Sequence, residues 1–162
     1  MTSKNNLRPD IFFMKRALTL AAKGLKTTSP NPMVGAVLVK NGKIVAAGYH
    51  RYAGGTHAEI DALKNLSVSQ INGATLYVTL EPCCHFGRTP PCTNFLIKKG
   101  VKHIVIAMRD PNPLVSGKGI SQLRKSGIKV EVGLMQQEAL KLNEAFIKFM
   151  KTGLPLGVSK VL

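Results

Sequence analysis

Two stretches decide the fold and the chemistry of this chain: His57-Ala58-Glu59 and, after it, Pro82-Cys83-Cys84-His85-Phe86-Gly87-Arg88-Thr89-Pro90-Pro91-Cys92. Together they supply an imidazole, several thiols and a carboxylate that can lie near a metal without binding it. Hydrolytic zinc sites use three protein ligands and keep a fourth position open, whereas structural sites close the shell with a fourth ligand. The two stretches therefore favour a hydrolytic enzyme with one Zn²⁺ per chain.

His57 and Cys92 each begin a predicted helix. The first N–H groups of a helix lack partners within it and carry a partial positive charge, which favours a nearby thiolate or hydroxide. Glu59 lies two residues after His57, so the two side chains do not share a helix face. We expect Glu59 to face across the pocket and to carry protons between water and a departing group. The pair forms the H-x-E signature of the zinc deaminases.

The identity of the cysteine ligands is ambiguous from spacing alone. The second part of the deaminase signature is P-C-x-x-C, but here eight residues separate Cys83 from Cys92. Cys83 follows Pro82 as the signature requires, so we expect Cys84 to point elsewhere. One alternative is a structural zinc site that uses Cys83, Cys84, Cys92 and His57, and another is a set of core cysteines without metal.

Apolar periodicity and turn residues predict a single α/β domain over residues 1–152. Asn41-Gly42 between two apolar runs is a strong hairpin signal, so the first two strands are expected to be antiparallel. After a first helix capped by Asp10, the predicted strands are 34–40, 44–49, 74–80, 103–108 and 129–134, and the predicted helices are 57–66, 92–99, 119–126 and 136–151. This order favours a central mixed five-stranded sheet covered by helices on both sides.

The chain has 162 residues and a formal charge of +15. Its basic residues are spread along the whole length without forming a block, which favours a lysine-rich surface over a dedicated nucleic-acid site. No stretch approaches the roughly 18–20 apolar residues of a membrane span, and no signal-like run follows the N-terminus. We therefore expect a cytoplasmic protein that does not contact membranes. The odd number of clustered cysteines favours metal chemistry over a disulfide framework.

The second stretch resembles the long metal motif of the riboflavin-pathway pyrimidine deaminases, rather than the short motif of cytidine, guanine or tRNA adenosine deaminases. Three further segments match that family: Ser29-Pro30-Asn31-Pro32-Met33-Val34-Gly35-Ala36-Val37, Tyr77-Val78-Thr79-Leu80-Glu81-Pro82 and Arg109-Asp110-Pro111-Asn112-Pro113. The resemblance implies a three-layer α/β/α cytidine-deaminase-like fold. It also implies hydrolytic deamination of 2,5-diamino-6-(5-phosphoribosylamino)pyrimidin-4(3H)-one in riboflavin biosynthesis, with release of ammonia.

The resemblance also implies roles for single residues. His57, Cys83 and Cys92 would be the zinc ligands and Glu59 the proton shuttle. Substrate contacts are implied at seven positions: Asn31, His50, His85, Arg88, Thr89, Asp110 and Asn112. The guanidinium of Arg88 suits a phosphate by its geometry, and the amide of Asn31 offers a donor and an acceptor to a ring edge. Without the resemblance, Asn31 and residues 110–113 can equally be turn residues.

Two other functions stay open from the sequence. The charge favours a nucleic-acid base deaminase, such as a tRNA adenosine deaminase, but the chain lacks a basic strip with interleaved aromatic residues that would stack exposed bases. A zinc-stabilised RNA-binding module without activity is the other alternative.

Residues 153–162 resemble the start of the reductase domain to which most bacterial relatives of this family are fused. A separate or missing reductase is therefore an expected partner, and a homo-oligomer is also compatible with the sequence.

Overall fold

The computed structural model describes residues 7–87 and 90–154, so that only Gly153 and Leu154 of the expected tail at 153–162 are covered. Within these residues the strands are β1 (Gly35–Lys40), β2 (Lys43–Tyr49), β3 (Thr75–Leu80), β4 (His103–Met108) and β5 (Lys129–Val132). The helices are α1 (Leu7–Ala22), α2 (Ala58–Leu63), α3 (Val68–Ile71), α4 (Cys92–Lys98), α5 (Lys118–Lys125), α6 (Gln136–Leu142) and α7 (Glu144–Thr152).

The five strands form one mixed sheet in the order β2-β1-β3-β4-β5. β1 pairs antiparallel with both β2 and β3, whereas β3, β4 and β5 run parallel to one another. Asn41 and Gly42 both adopt positive φ angles, 52° and 75°, as a tight two-residue hairpin requires. The predicted mixed sheet with an antiparallel opening hairpin is confirmed.

Helices cover both faces of this sheet. Successive side chains of a strand point to opposite faces, and along β1 Ala36 and Leu38 enter one core while Val37 and Val39 enter the other. The first core is closed by α2, α4 and α5, and the second by α1 and α6. The predicted three-layer α/β/α arrangement is therefore confirmed.

One end of the sheet collects the segments that carry the motifs. The carboxyl ends of the parallel strands β3 and β4 lie there, and so does the beginning of the antiparallel β1. The end of β2 joins them, because Tyr49 pairs with Gly35 at the start of β1. Loops at the carboxyl ends of parallel strands are the usual ligand-binding end of α/β sheets. The strand order therefore brings residues 29–34, 50–57, 81–87, 90–92 and 109–117 to one place.

The final helix is where the sequence-based assignment is wrong. A single helix was expected over 136–151, but α6 and α7 are separate and Asn143 lies between them. Asn143 has φ −101° and ψ 23°, which interrupts the helix. Its buried side chain bonds to the backbone of Met33. The helix is therefore interrupted by a tertiary contact, at a position where the sequence has no glycine or proline to predict the break.

The expected cap of the first helix is also wrong. Within the described residues α1 already begins at Leu7, so Asp10 lies inside its first turn. The Asp10 carboxylate instead accepts a hydrogen bond from the hydroxyl of Tyr77 on β3.

None of the helices in the described parts of the chain is long and apolar enough to span a lipid bilayer.

Candidate metal centre and its pocket

His57, Cys83 and Cys92 bring three potential metal ligands together at this end of the sheet. His57 directly precedes α2, Cys83 follows β3, and Cys92 begins α4. The ligand atoms lie within 4.8 Å of one another, with His57 Nδ1 3.1 Å from Cys92 Sγ and 3.6 Å from Cys83 Sγ. Tetrahedral zinc with ordinary bond lengths places such nitrogen and sulfur atoms about 3.5 Å apart. The donor set and its spacing therefore fit zinc.

Cys84 stays outside this group. Among residues 7–87 and 90–154, the ligand atoms that meet in a cluster of three come from His57, Cys83 and Cys92 only. Cys84 is half-buried, and burial raises the pKa of its thiol. The geometry gives no support to the four-ligand structural site that the sequence left open.

The three donors already influence one another's protonation. The backbone N–H of Cys92 donates to Cys83 Sγ at 3.3 Å. The hydrogen bond from the Cys92 side chain lowers the pKa of Cys83, and the same contact raises the pKa of Cys92. The bond to Cys83 also raises the pKa of His57. The protein thus favours a thiolate at Cys83, which is the form of cysteine that binds zinc.

Glu59 lies in the first turn of α2 beside these donors. Its side chain is only 3% exposed, and this burial raises the pKa of its carboxyl group. Groups that donate and accept protons in catalysis work best when their pKa is close to the working pH. Glu59 therefore has the environment of a proton carrier.

A cavity of about 440 Å³ opens onto the centre, with His57, Glu59 and Cys83 in its wall. This volume lies in the range of small-molecule sites. Five of the seven expected substrate contacts line it: Asn31, His50, His85, Asp110 and Asn112. The other two, Arg88 and Thr89, lie outside the described residues.

Asn31 and His50 form an ordered pair in this wall. Nδ1 of the buried His50 lies 3.0 Å from the carbonyl oxygen of Thr56. Because a carbonyl only accepts, Nδ1 carries the proton, and Nε2 of the neutral ring is an acceptor. Nε2 accepts from Asn31 Nδ2 at 3.3 Å. The orientation of the Asn31 amide is therefore set by the protein before any ligand binds.

Comparison with known proteins agrees with this geometry. The model of the cytidine and deoxycytidylate deaminase zinc-binding region matches residues 7–108. A diaminohydroxyphosphoribosylamino-pyrimidine deaminase of Buchnera aphidicola subsp. Schizaphis graminum is 53% identical over 146 residues, which cover 90% of this chain and 99% of that protein. The chain belongs to the diaminohydroxyphosphoribosylaminopyrimidine deaminases of the zinc-binding cytidine and deoxycytidylate deaminase family.

Solved structures of this deaminase family share its fold. RibD of Acinetobacter baumannii, in its form 1, has a TM-score of 0.87 and 50% identity, and the match covers 92% of this chain and 42% of that one. The deaminase/5-amino-6-(5-phosphoribosylamino)uracil reductase of Thermotoga maritima has a TM-score of 0.85 and 49% identity, with 91% and 43% coverage. The chain spans about 40% of the length of the curated RibD relatives.

The pocket of the deaminase also contains residues that sequence reasoning missed. Leu80, Val115, Phe146 and Met150 add apolar surface, and Glu81 adds a buried carboxylate. The sequence contains a feature that could have identified Glu81, because acids are scarce in this chain and Glu81 directly precedes the Pro-Cys step. No sequence feature could have identified Phe146 and Met150 as pocket residues, because their positions depend on the break before α7.

Proposed function

We propose that this protein catalyses the hydrolytic deamination of 2,5-diamino-6-(5-phosphoribosylamino)pyrimidin-4(3H)-one. Water replaces the 2-amino group, so that a ring carbonyl forms and ammonia leaves. The observation that carries the proposal is the buried carboxyl of Glu59 beside a cluster of three zinc-type donors, two of which, His57 and Cys83, line the same cavity as Glu59. The near full-length match to a deaminase of this name supports the same substrate.

We assign the zinc ligands to His57 Nδ1, Cys83 Sγ and Cys92 Sγ. Zinc, when bound, supplies Lewis acidity and lowers the pKa of a water molecule in its open position. Two thiolates and a neutral imidazole balance its charge. The backbone N–H of Cys92 keeps the Cys83 thiolate in place through its 3.3 Å hydrogen bond.

Glu59 carries the protons of the reaction. Its carboxylate accepts a proton from the attacking water and delivers it to the departing amino group, so that the group leaves as ammonia rather than as an amide anion. Burial favours this task, because the raised pKa of Glu59 makes its protonated form accessible during the cycle. His57 is assigned to the metal through Nδ1, and the buried carboxyl of Glu59 is assigned the proton transfer.

The remaining pocket residues orient the substrate. Asn31 presents an amide that His50 has already oriented, and Asp110 and Asn112 line the pocket from the loop after β4. We assign His85 to the same wall, and Arg88 and Thr89 remain expected contacts of the phosphoribosyl arm. The apolar side chains Leu80, Val115 and Phe146 suit the faces of a pyrimidine ring.

Relatives of the family suggest a reductase as the partner of this chain. The Thermotoga maritima relative is named as both a deaminase and a uracil reductase. We propose that the product of this chain passes to a reductase, on the same or another polypeptide. The cytoplasmic location and the oligomeric state stay predictions.

Ammonia release tests the proposal. The zinc-loaded protein should release ammonia from the pyrimidinone substrate and not from cytidine or guanine. Glu59→Gln should keep its zinc and lose turnover by roughly a hundredfold or more. Glu138→Gln, which changes an exposed acid on α6, should behave like wild type. Preferred turnover of cytidine, guanine or an RNA stem-loop, or full activity of Glu59→Gln, would contradict the proposal.

A further inference from the structure

Glu81 connects the segment that carries Cys83 to the loop after β4, whose residues Asp110 and Asn112 line the pocket. It follows β3 directly and its backbone N–H donates to the carbonyl of Met108 at 3.0 Å. Its side chain is 5% exposed and accepts three backbone N–H groups: Oε1 from Asp110 and Gly117, each at 3.0 Å, and Oε2 from Ile120 at 3.2 Å. A single carboxylate therefore holds the loop after β4 at both of its ends.

The loop that Glu81 holds carries two of the pocket residues. Asp110 is attached through its own N–H, and Asp110 Oδ1 accepts from the N–H of Asn112 at 2.9 Å. Asn112 in turn accepts from the N–H of Ser116 at 2.9 Å through its carbonyl. The positions of Asp110 and Asn112 therefore depend on a chain of hydrogen bonds that begins at Glu81.

The same carboxylate occupies the first turn of α5. Gly117 precedes this helix with a φ of 82°, and a side chain at Gly119 would lie 2.2 Å from the carbonyl oxygen of Pro82. Only glycine permits this approach, which brings the N–H groups of Gly117 and Ile120 onto Glu81. Both donors are bound by the Glu81 carboxylate.

We propose that Glu81 is a positioning residue that sets substrate affinity by fixing Asp110 and Asn112. Glu81 is not assigned a contact with the reacting atoms, since its carboxylate oxygens accept hydrogen bonds from backbone N–H groups. The inference rests on the proposed function only in so far as Asp110 and Asn112 contact the substrate. Loss of Glu81 should therefore raise KM and leave kcat and zinc content nearly unchanged.

A graded pair of variants tests this role. Glu81→Gln has one carbonyl oxygen, which can serve at most two of the three N–H groups, and its NH2 group opposes the third. Glu81→Ala serves none. We expect KM to rise a few-fold for Glu81→Gln and roughly tenfold or more for Glu81→Ala, with kcat within about threefold of wild type. Glu131→Gln, which changes an acid on β5 bonded to His103, is the control and should keep the wild-type KM.

Amide hydrogen exchange gives a readout that does not depend on the substrate. The N–H groups of Asp110, Gly117 and Ile120 should exchange faster in Glu81→Gln, while the amides of β1 keep their protection. An unchanged KM together with unchanged exchange overturns the inference, and so does a loss of zinc and kcat at constant KM. If the wild-type protein fails to deaminate the pyrimidinone, the proposed function fails, and the exchange of these three amides still decides whether Glu81 fixes the loop.

Discussion

Asn143 binds the backbone N–H and the backbone carbonyl of Met33, although the two residues are 110 positions apart in the sequence. The Met33 N–H donates to Asn143 Oδ1 at 2.8 Å, and Asn143 Nδ2 donates to the Met33 carbonyl at 2.9 Å. Met33 belongs to the segment that carries Asn31, and Asn143 directly precedes α7, which places Phe146 in the pocket. One side chain thus joins two segments that line the pocket.

Replacing Asn143 should reduce both stability and substrate affinity. Asn143→Ala leaves two half-buried backbone groups of Met33 without partners, and an unpartnered group costs about 1–3 kcal/mol when fully buried and less where water reaches it. We expect the free energy of unfolding to fall by about 1–2 kcal/mol, and KM to rise because Asn31 and α7 lose their common anchor. Denaturant unfolding and steady-state kinetics measure the two effects.

Two variants control this prediction. Asn143→Asp can still accept from the Met33 N–H but, when ionised, cannot donate to the carbonyl, so its loss of stability should be intermediate. Asn72→Ala removes an exposed amide after α3 and should change little. An Asn143→Ala protein as stable as wild type would contradict the role of this contact.

The fold was predictable where local patterns and packing agree. Asn41-Gly42 has the backbone angles that its sequence predicts, and β4 begins and ends at the expected residues, His103 and Met108. The break at Asn143 was not predictable, because asparagine in an amphipathic run does not itself end a helix. The contact with Met33 that ends it is distant in sequence and depends on the completed fold.

The metal donors were predictable for a different reason. Their residue types and their places at predicted helix starts carry chemical meaning whatever the tertiary fold, and His57, Cys83 and Cys92 do lie together. The role of Glu81 was not predictable, because its three partners are backbone N–H groups that any sequence possesses. Sequence patterns do not reveal which main-chain donors a side chain will meet.

Serine substitutions should separate the three cysteines. Cys83→Ser and Cys92→Ser should lose zinc, because a serine hydroxyl does not ionise readily enough to replace a thiolate. Cys84→Ser should keep zinc and turnover, since Cys84 is outside the group of ligand atoms. Metal analysis of the purified variants measures the zinc-to-protein ratio. Loss of zinc from Cys84→Ser, or its retention in Cys92→Ser, would show that the ligand assignment is wrong.

Phe146 should contribute to substrate affinity through its apolar surface. The ring lines the cavity beside Met150, and Phe146→Ala removes part of the apolar surface that a bound ring would cover. We expect KM to rise about tenfold, which corresponds to about 1.4 kcal/mol, with a smaller change in kcat. Phe149→Ala is the matched control, because Phe149 lies on the same helix, is 45% exposed and does not line this cavity. Equal effects of the two variants would contradict a direct role for Phe146.

Tyr77 should make the protein less stable in alkaline solution. Burial raises the pKa of Tyr77, and its hydrogen bond to Asp10 adds to the shift. The unfolded chain releases the tyrosine proton near pH 10, whereas the folded protein retains it to higher pH. The stabilisation from Tyr77 is therefore complete below about pH 10 and is lost as the pH rises above it.

Substitution by phenylalanine isolates this contribution. Tyr77→Phe loses the bond to Asp10, so at neutral pH we expect it to be about 1 kcal/mol less stable than wild type. This difference should shrink from about pH 10 upward, because only the wild-type protein then loses the contribution of the protonated hydroxyl. Tyr52→Phe, at a position that is 59% exposed, should follow the wild-type curve throughout. Denaturant unfolding between pH 7 and pH 11 measures the free energy of unfolding of each protein. A difference in this free energy between Tyr77→Phe and wild type that stays constant over the range would contradict the coupling between Tyr77 and Asp10.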